Sequence, residues 1–134
     1  MQTSKLAREK NFMVGSLIMR VYEQAECSMT ETEFLRLVDD TLSQIEDAFE
    51  NAGQAGDIDV ECSRSGSLLE IEFLQNKTKI IINSQAAISE LWVAAKSGGF
   101  HYRHDGQQWR NTRDNSELMA VLRDIASSQG GLTI

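Results

Sequence analysis

Proline is absent from all 134 residues. Turns must therefore be built from Gly, Asn, Asp and Ser, and proline-rich linkers are excluded. Cysteine is nearly absent: Cys27 and Cys62 stand alone and form no CxxC pair. That excludes a disulfide framework, a zinc ribbon, a dithiol redox pair and a four-thiolate cluster site, and it fits a reducing cytosol. Histidine is limited to His101 and His104, so any metal would be held by oxygen ligands and at most two imidazoles. Basic charge is in deficit, with 13 Lys and Arg against 20 Asp and Glu and a net charge of −7. Nucleic acid phosphates and anionic membrane surfaces repel such a chain, which leaves cations or a basic protein face as the expected partners. No apolar run approaches the ~20 residues of a membrane span. No GxxxxGK[ST], GxSxG or HExxH motif occurs, so no motif points to nucleotide, serine-hydrolase or zinc-protease chemistry.

What is present has the composition of one soluble domain, 41% hydrophobic and 25% charged, long enough to bury roughly two-thirds of its unfolded surface. The charge is uneven. Residues 1–28 carry four bases against three acids, while 29–134 carry nine bases against seventeen acids. Phe12 to Met19 is an apolar stretch broken by Gly15 and Ser16 and ended by Arg20. A basic start before an apolar stretch has the outline of a targeting peptide, but the run is at the low end for one and no small-x-small cleavage site follows closely. Residues 1–28 are expected to be a dispensable extension, with Met13, Met19 and Met29 as alternative starts, and 29–134 the folded domain.

Thr30-Glu31-Thr32-Glu33 has capping-box spacing. Phe34, Leu37, Val38, Leu42, Ile45 and Phe49 then recur at helical steps, which predicts a helix over 31–52, ended by Gly53 and Gly56. Asp57 to Cys62 alternates strictly and predicts a strand with Ile58, Val60 and Cys62 inward and Asp57, Asp59 and Glu61 outward. Leu69, Ile71 and Phe73 alternate in a second strand, and Thr78 to Asn83 forms a β-branched third. Residues 88–95 fit either period. The Gly98-Gly99 break favours a strand, with Leu91, Val93 and Ala95 on one side and Glu90 and Trp92 on the other. Asp105-Gly106 between Phe100-His101-Tyr102 and Gln108-Trp109-Arg110 predicts a hairpin. Asp114 to Ser116 opens a last helix with Leu118, Val121, Leu122 and Ile125 inward, and Gly130-Gly131 frees the tail. The order predicts an α+β two-layer sandwich, with an N-terminal and a C-terminal helix on one face of an antiparallel sheet of five or six strands.

Two groups of residues could carry chemistry. Asp39, Glu46, Asp47 and Glu50 share an outer stripe of the first helix, and Asp57, Asp59 and Glu61 share the outer side of the next strand. Such an edge is either a weak, exposed oxygen-donor site for cations or a solvated acidic face. Trp92, Asn83 and Gln85 fall on the open sheet face, with Ile81 beside them; there Trp92 is an interface anchor, or else it is buried under the extension or in the core. His101 and His104 do not share a strand face, and each reads as a surface histidine. Cys62 reads as a core residue.

The segments Asp57-Ile58-Asp59, Lys79-Ile80-Ile81-Ile82-Asn83-Ser84-Gln85 and Leu91-Trp92-Val93-Ala94-Ala95-Lys96-Ser97-Gly98-Gly99-Phe100-His101-Tyr102 resemble the frataxin family, its bacterial branch in particular. Asn-x-Gln followed by Leu-Trp-Val, in this order and spacing, carries the resemblance. It implies a cytoplasmic bacterial protein, not an enzyme, that binds iron (Fe2+ or Fe3+) weakly through Glu46, Asp47, Glu50, Asp57, Asp59 and Glu61. It also implies docking on cysteine desulfurase and the iron–sulfur scaffold protein, with Asn83, Gln85, Trp92 and His101 as the partner-binding sheet face. A mostly monomeric state is implied, with iron-dependent oligomers as the exception. A ferroxidase or iron-storage enzyme and a metal-independent interaction module are the alternatives. Two departures stand out. Residues 51–56, expected as a loop that bacterial members crowd with aspartates, hold no acid here and thin the ridge. The family's proline near Ala86-Ala87 is missing, which predicts a looser bend before Trp92.

Overall fold

The computed structural model describes residues 29–134, so the expected extension over 1–28 lies outside the described residues. Helix α1 spans Glu31–Gly56 and buries Phe34, Val38, Leu42, Ile45 and Phe49 along one stripe. It runs through Gly53 instead of stopping there. Gly53 serves close approach: a Cβ at this position would sit 3.0 Å from the Ile58 carbonyl oxygen and 3.3 Å from Val60 Cγ2. The stop comes at Asp57, whose φ of 55° is left-handed. The Ile58 N–H then donates back to the Gly53 carbonyl at 2.9 Å, closing the helix end. Residues 51–56 are thus the last turns of α1 and not a loop. Asp57 and Asp59 precede the first strand instead of lying in it.

Six strands follow: β1 (Val60–Ser65), β2 (Leu68–Phe73), β3 (Thr78–Gln85), β4 (Glu90–Ala95), β5 (Gly98–His104) and β6 (Trp109–Asn111). They form one antiparallel meander in sequence order. Short links between alternating strands permit this and exclude the long crossovers that parallel strands need. Helix α2 (Leu118–Gly130) is the last element. Phe73 shows that both helices cover the same sheet face. Its ring lies 6.3 Å from that of Phe49 in α1, and a Cβ on Gly130 of α2 would fall 2.4 Å from its ring atoms. The core lies between these layers, with Leu69, Ile71, Ile80, Ile82, Leu91, Val93 and Tyr102 facing the helices. The architecture is the two-layer α+β sandwich that the sequence predicts, with the second sheet face uncovered by any helix among the described residues.

Three further boundaries differ from the sequence reading. Asp114 accepts from the Ser116 N–H and hydroxyl in a local turn, so α2 begins later. It is capped by Glu117, which accepts from the Met119 and Ala120 N–H groups at 2.8 and 3.2 Å. The tail after Gly130-Gly131 is not loose, because Leu132 is buried and donates its N–H to the Ala126 carbonyl at 2.9 Å. The bend before Trp92 is closed without proline: a 3₁₀ turn at Ala86–Ile88 is followed by left-handed Ser89, whose N–H donates to the Ala86 carbonyl at 3.2 Å.

Candidate functional site

The strand register assembles the open face. Asn83 pairs with Trp92, Trp92 with His101, and Gln85 with Glu90. Side chains two apart share a face. Asn83 and Gln85 of β3, Glu90 and Trp92 of β4, and His101 and Arg103 of β5 therefore form a grid of three strands by two positions. All four residues assigned from the sequence to the sheet face come together here. Glu90 and Arg103 complete the grid and were not singled out. The signal was present, since each lies two residues from a chosen one.

Trp92 is half-buried, so it is neither a core residue nor fully exposed. Its ring stacks on His101 with centroids 4.3 Å apart and planes 8° from parallel. Its indole N–H donates to Glu90 Oε1 at 2.9 Å. Arg103 Nε–H donates to Glu90 Oε2 at 3.0 Å, and His101 Nδ1 stands 3.8 Å from Oε1. The Trp92 hydrogen bond, helped by Arg103 and the nearby His101, holds the Glu90 carboxyl below the usual glutamate range against the opposing effect of burial. The other tryptophan is different in kind. Trp109 is buried, donates to Thr41 Oγ1 at 3.0 Å and meets Phe34 edge-on. An aromatic stack flanked by carboxamides and a guanidinium, with exposed Ile81 nearby on β3, is suited to anchoring a protein partner.

The acidic residues named from the sequence do not form one ridge. Glu50, Asp57 and Asp59 line one open depression of about 630 Å³ at the α1–β1 corner, with Gly53, Gln54, Ile58 and Val60. Helix α1 ends here with no basic residue in its last turn, so its C-terminal dipole adds to their negative potential. Asp39, Glu46 and Glu50 run along the flank of α1 that borders β1, where Arg64 pairs with Asp39 at 2.8 Å. This corrects the expected outer stripe. Asp47, two positions from buried Ile45 and Phe49, points outward. Glu61 is separated from the ridge: it lies opposite Glu72 in the register and shares a surface depression with Glu70 and Glu72. Lys79 pairs with Glu70 across that corner at 2.6 Å. Among the described residues, no three His, Cys, Asp or Glu side chains come together as a metal-holding group. The donors at the depression are exposed carboxylates, chemically fit for a hydrated hard cation but not for an enclosed site.

A family model described as a frataxin-like domain matches residues 27–132. The chain belongs to the frataxin family. A relative from Herminiimonas arsenicoxydans, named iron-sulfur cluster assembly protein CyaY, is 58% identical over 106 residues, covering 79% of this chain and 95% of its own. One of the same name from Cupriavidus metallidurans is 50% identical over the same shares. The solved frataxin of Psychromonas ingrahamii superposes with a TM-score of 0.71 at 33% identity, covering 79% of this chain and 96% of that one. A trimeric yeast frataxin, described as complexed with ferrous, superposes at 0.58 with 23% identity, covering 79% of this chain and 90% of that one, a likeness of fold.

His104 and Cys62 play lesser parts. His104 lies level with Trp109 on the helix-covered side and meets its ring edge-on at 5.2 Å. Burial lowers its pKa, and the two histidines point to opposite faces, as their spacing predicts. Cys62 is half-buried at the edge of the core, and its thiol is pushed up to about 12, first by burial and then by Glu50 and Glu46. No helix among the described residues is long and apolar enough to cross a membrane.

Proposed function

We propose that this protein serves iron–sulfur cluster assembly as an iron-binding regulator and adaptor that docks on cysteine desulfurase and the scaffold protein. The observation that carries this reading is the open-face grid around Trp92, on the sheet face that no helix among the described residues covers. The name shared by the relatives supports the pathway. The acidic depression supports attraction to a basic partner groove: Glu50, Asp57 and Asp59 sit at a negative helix end, and long-range attraction of this kind raises association rates. In this reading the ridge steers the encounter and Trp92 holds the complex. Iron, as cargo, is bound weakly by hydrated contacts to the ridge carboxylates. The protein is read as a non-enzyme, because a ferroxidase centre needs bridging carboxylates and histidines held together. Saturable oxygen consumption on anaerobic-to-aerobic Fe(II) mixing would overturn that part.

A second reading, a metal-independent interaction module, draws on the dispersal of the acidic residues over the α1–β1 corner, the flank and outer side of α1, and the sheet face. An amide NMR titration with Fe(II), run beside magnesium and calcium, decides between them. The first reading expects shifts and broadening confined to Glu46–Asp59, reversed by salt. Uniform small changes, or none, would favour the second. Capture of cysteine desulfurase from a bacterial lysate on immobilised full chain is expected under either reading, and its failure would contradict both.

A further inference from the structure

We propose that Glu90 is the positioning residue of the docking face: its carboxylate locks the Trp92 indole and Arg103 into one presenting arrangement before a partner arrives. This deepens the docking reading and rests on it. Glu90 retains 8% of its surface, an unusual degree of burial for a carboxylate, which is costly unless the group is paired. Its partners do not lie in the core. Strand alternation sends its neighbours Leu91 and Val93 to the helix side, while Glu90 meets Trp92, Arg103 and His101 on the open side. The buried acid therefore contributes to the surface, not to the packing of the helices.

The geometry divides the work between two oxygens. Oε1 accepts from the indole N–H and fixes the edge of the Trp92 ring, while the His101 stack fixes its plane. Oε2 accepts from Arg103 Nε. A guanidinium has five N–H donors, and the Arg103 side chain remains 61% exposed. The pairing thus commits one donor and aims the planar fork. A large side chain and a long one that are already ordered lose less entropy on docking, and preorganisation of this kind strengthens binding by roughly tenfold for two such groups.

The test uses the full chain with Glu90→Ala, Glu90→Gln, Arg103→Gln and Trp92→Ala. It reads the two indole N–H resonances and the affinity for the desulfurase–scaffold assembly. Trp109 is the internal reference for folding. Glu90→Ala is expected to shift the Trp92 indole resonance and speed its exchange with water, leave that of Trp109 in place, and weaken binding roughly tenfold. Glu90→Gln keeps an acceptor for the indole and is expected to restore much of both. If Glu90→Ala does not fold, Arg103→Gln is expected to weaken binding with the indole resonance still near its native position. An unmoved indole in Glu90→Ala, or a moved one with native affinity, overturns the positioning role, provided Trp92→Ala weakens binding. Native binding by Trp92→Ala overturns the docking reading itself.

Discussion

Cys62 shows how a single residue is set by its two neighbouring layers. Its place on β1 turns the thiol toward α1, where Glu46 and Glu50 face it. Burial and these two carboxylates oppose the thiolate together, and the pKa rises from 9.0 to about 12. The thiolate is the reactive form, so alkylation and persulfide transfer to Cys62 are suppressed at neutral pH. In a Cys27→Ser chain at pH 8, iodoacetamide is expected to react at least about a hundredfold more slowly than with free cysteine. Glu46→Gln with Glu50→Gln should recover part of that loss. Reaction at the rate of the free thiol would contradict the placement. The sequence placed Cys62 inward by alternation, but its carboxylate neighbours depend on how α1 crosses β1. Glu90 is a similar case. Alternation gave its face, but its pairing with Arg103 needs the β4–β5 register.

At the scale of the element, periodicity was legible and boundaries were not. The apolar stripe of α1 and the inward Leu69, Ile71 and Phe73 of β2 follow from spacing alone, whereas the outward Trp92 also needs the Gly98-Gly99 break to decide for a strand over a helix. The ends failed because glycine has two uses that look alike in a sequence. Gly53 and Gly130 allow close approach, and the stop of α1 falls to Asp57 in a left-handed conformation. Gly130 gives the sharper test. A methyl group there would enter the Phe73 ring at 2.4 Å, and overpacking of this sort costs about 1–3 kcal/mol. The gain in helix propensity, at most ~1 kcal/mol in a helix interior, is smaller at a last residue. Gly130→Ala is therefore expected to lower the urea midpoint with the slope unchanged. A neutral or stabilised variant would show that α2 can move off the sheet at no cost. Gln129 beside it argues against such movement: it donates to the Lys79 carbonyl at 3.1 Å and accepts from the Lys96 N–H at 3.1 Å.

For the whole molecule, the acidic excess was visible from composition, but its division was not. The described chain places Glu50, Asp57 and Asp59 at the α1–β1 corner, and Glu61 with Glu70 and Glu72 on the sheet face. Sequence spacing grouped Glu61 with the ridge because Asp57 and Asp59 were read as strand. The central claim is that a steering ridge and an anchoring face act as two separable surfaces on one partner assembly. The most direct measurement is the affinity of four full-length chains for the desulfurase–scaffold assembly across a salt series. These are the native chain, Trp92→Ala, a ridge variant and the combination. The ridge variant is Glu50→Lys, Asp57→Asn and Asp59→Lys, with asparagine at 57 because that residue tolerates the left-handed backbone. The ridge variant is expected to bind roughly tenfold more weakly at low salt, mainly through slower association, with the gap closing as salt rises. Trp92→Ala is expected to lose about 2 kcal/mol, mainly through faster dissociation and at every salt concentration, and the two losses should add. Native affinity in both single-surface variants, or a Trp92 loss that vanishes with salt, would contradict the account.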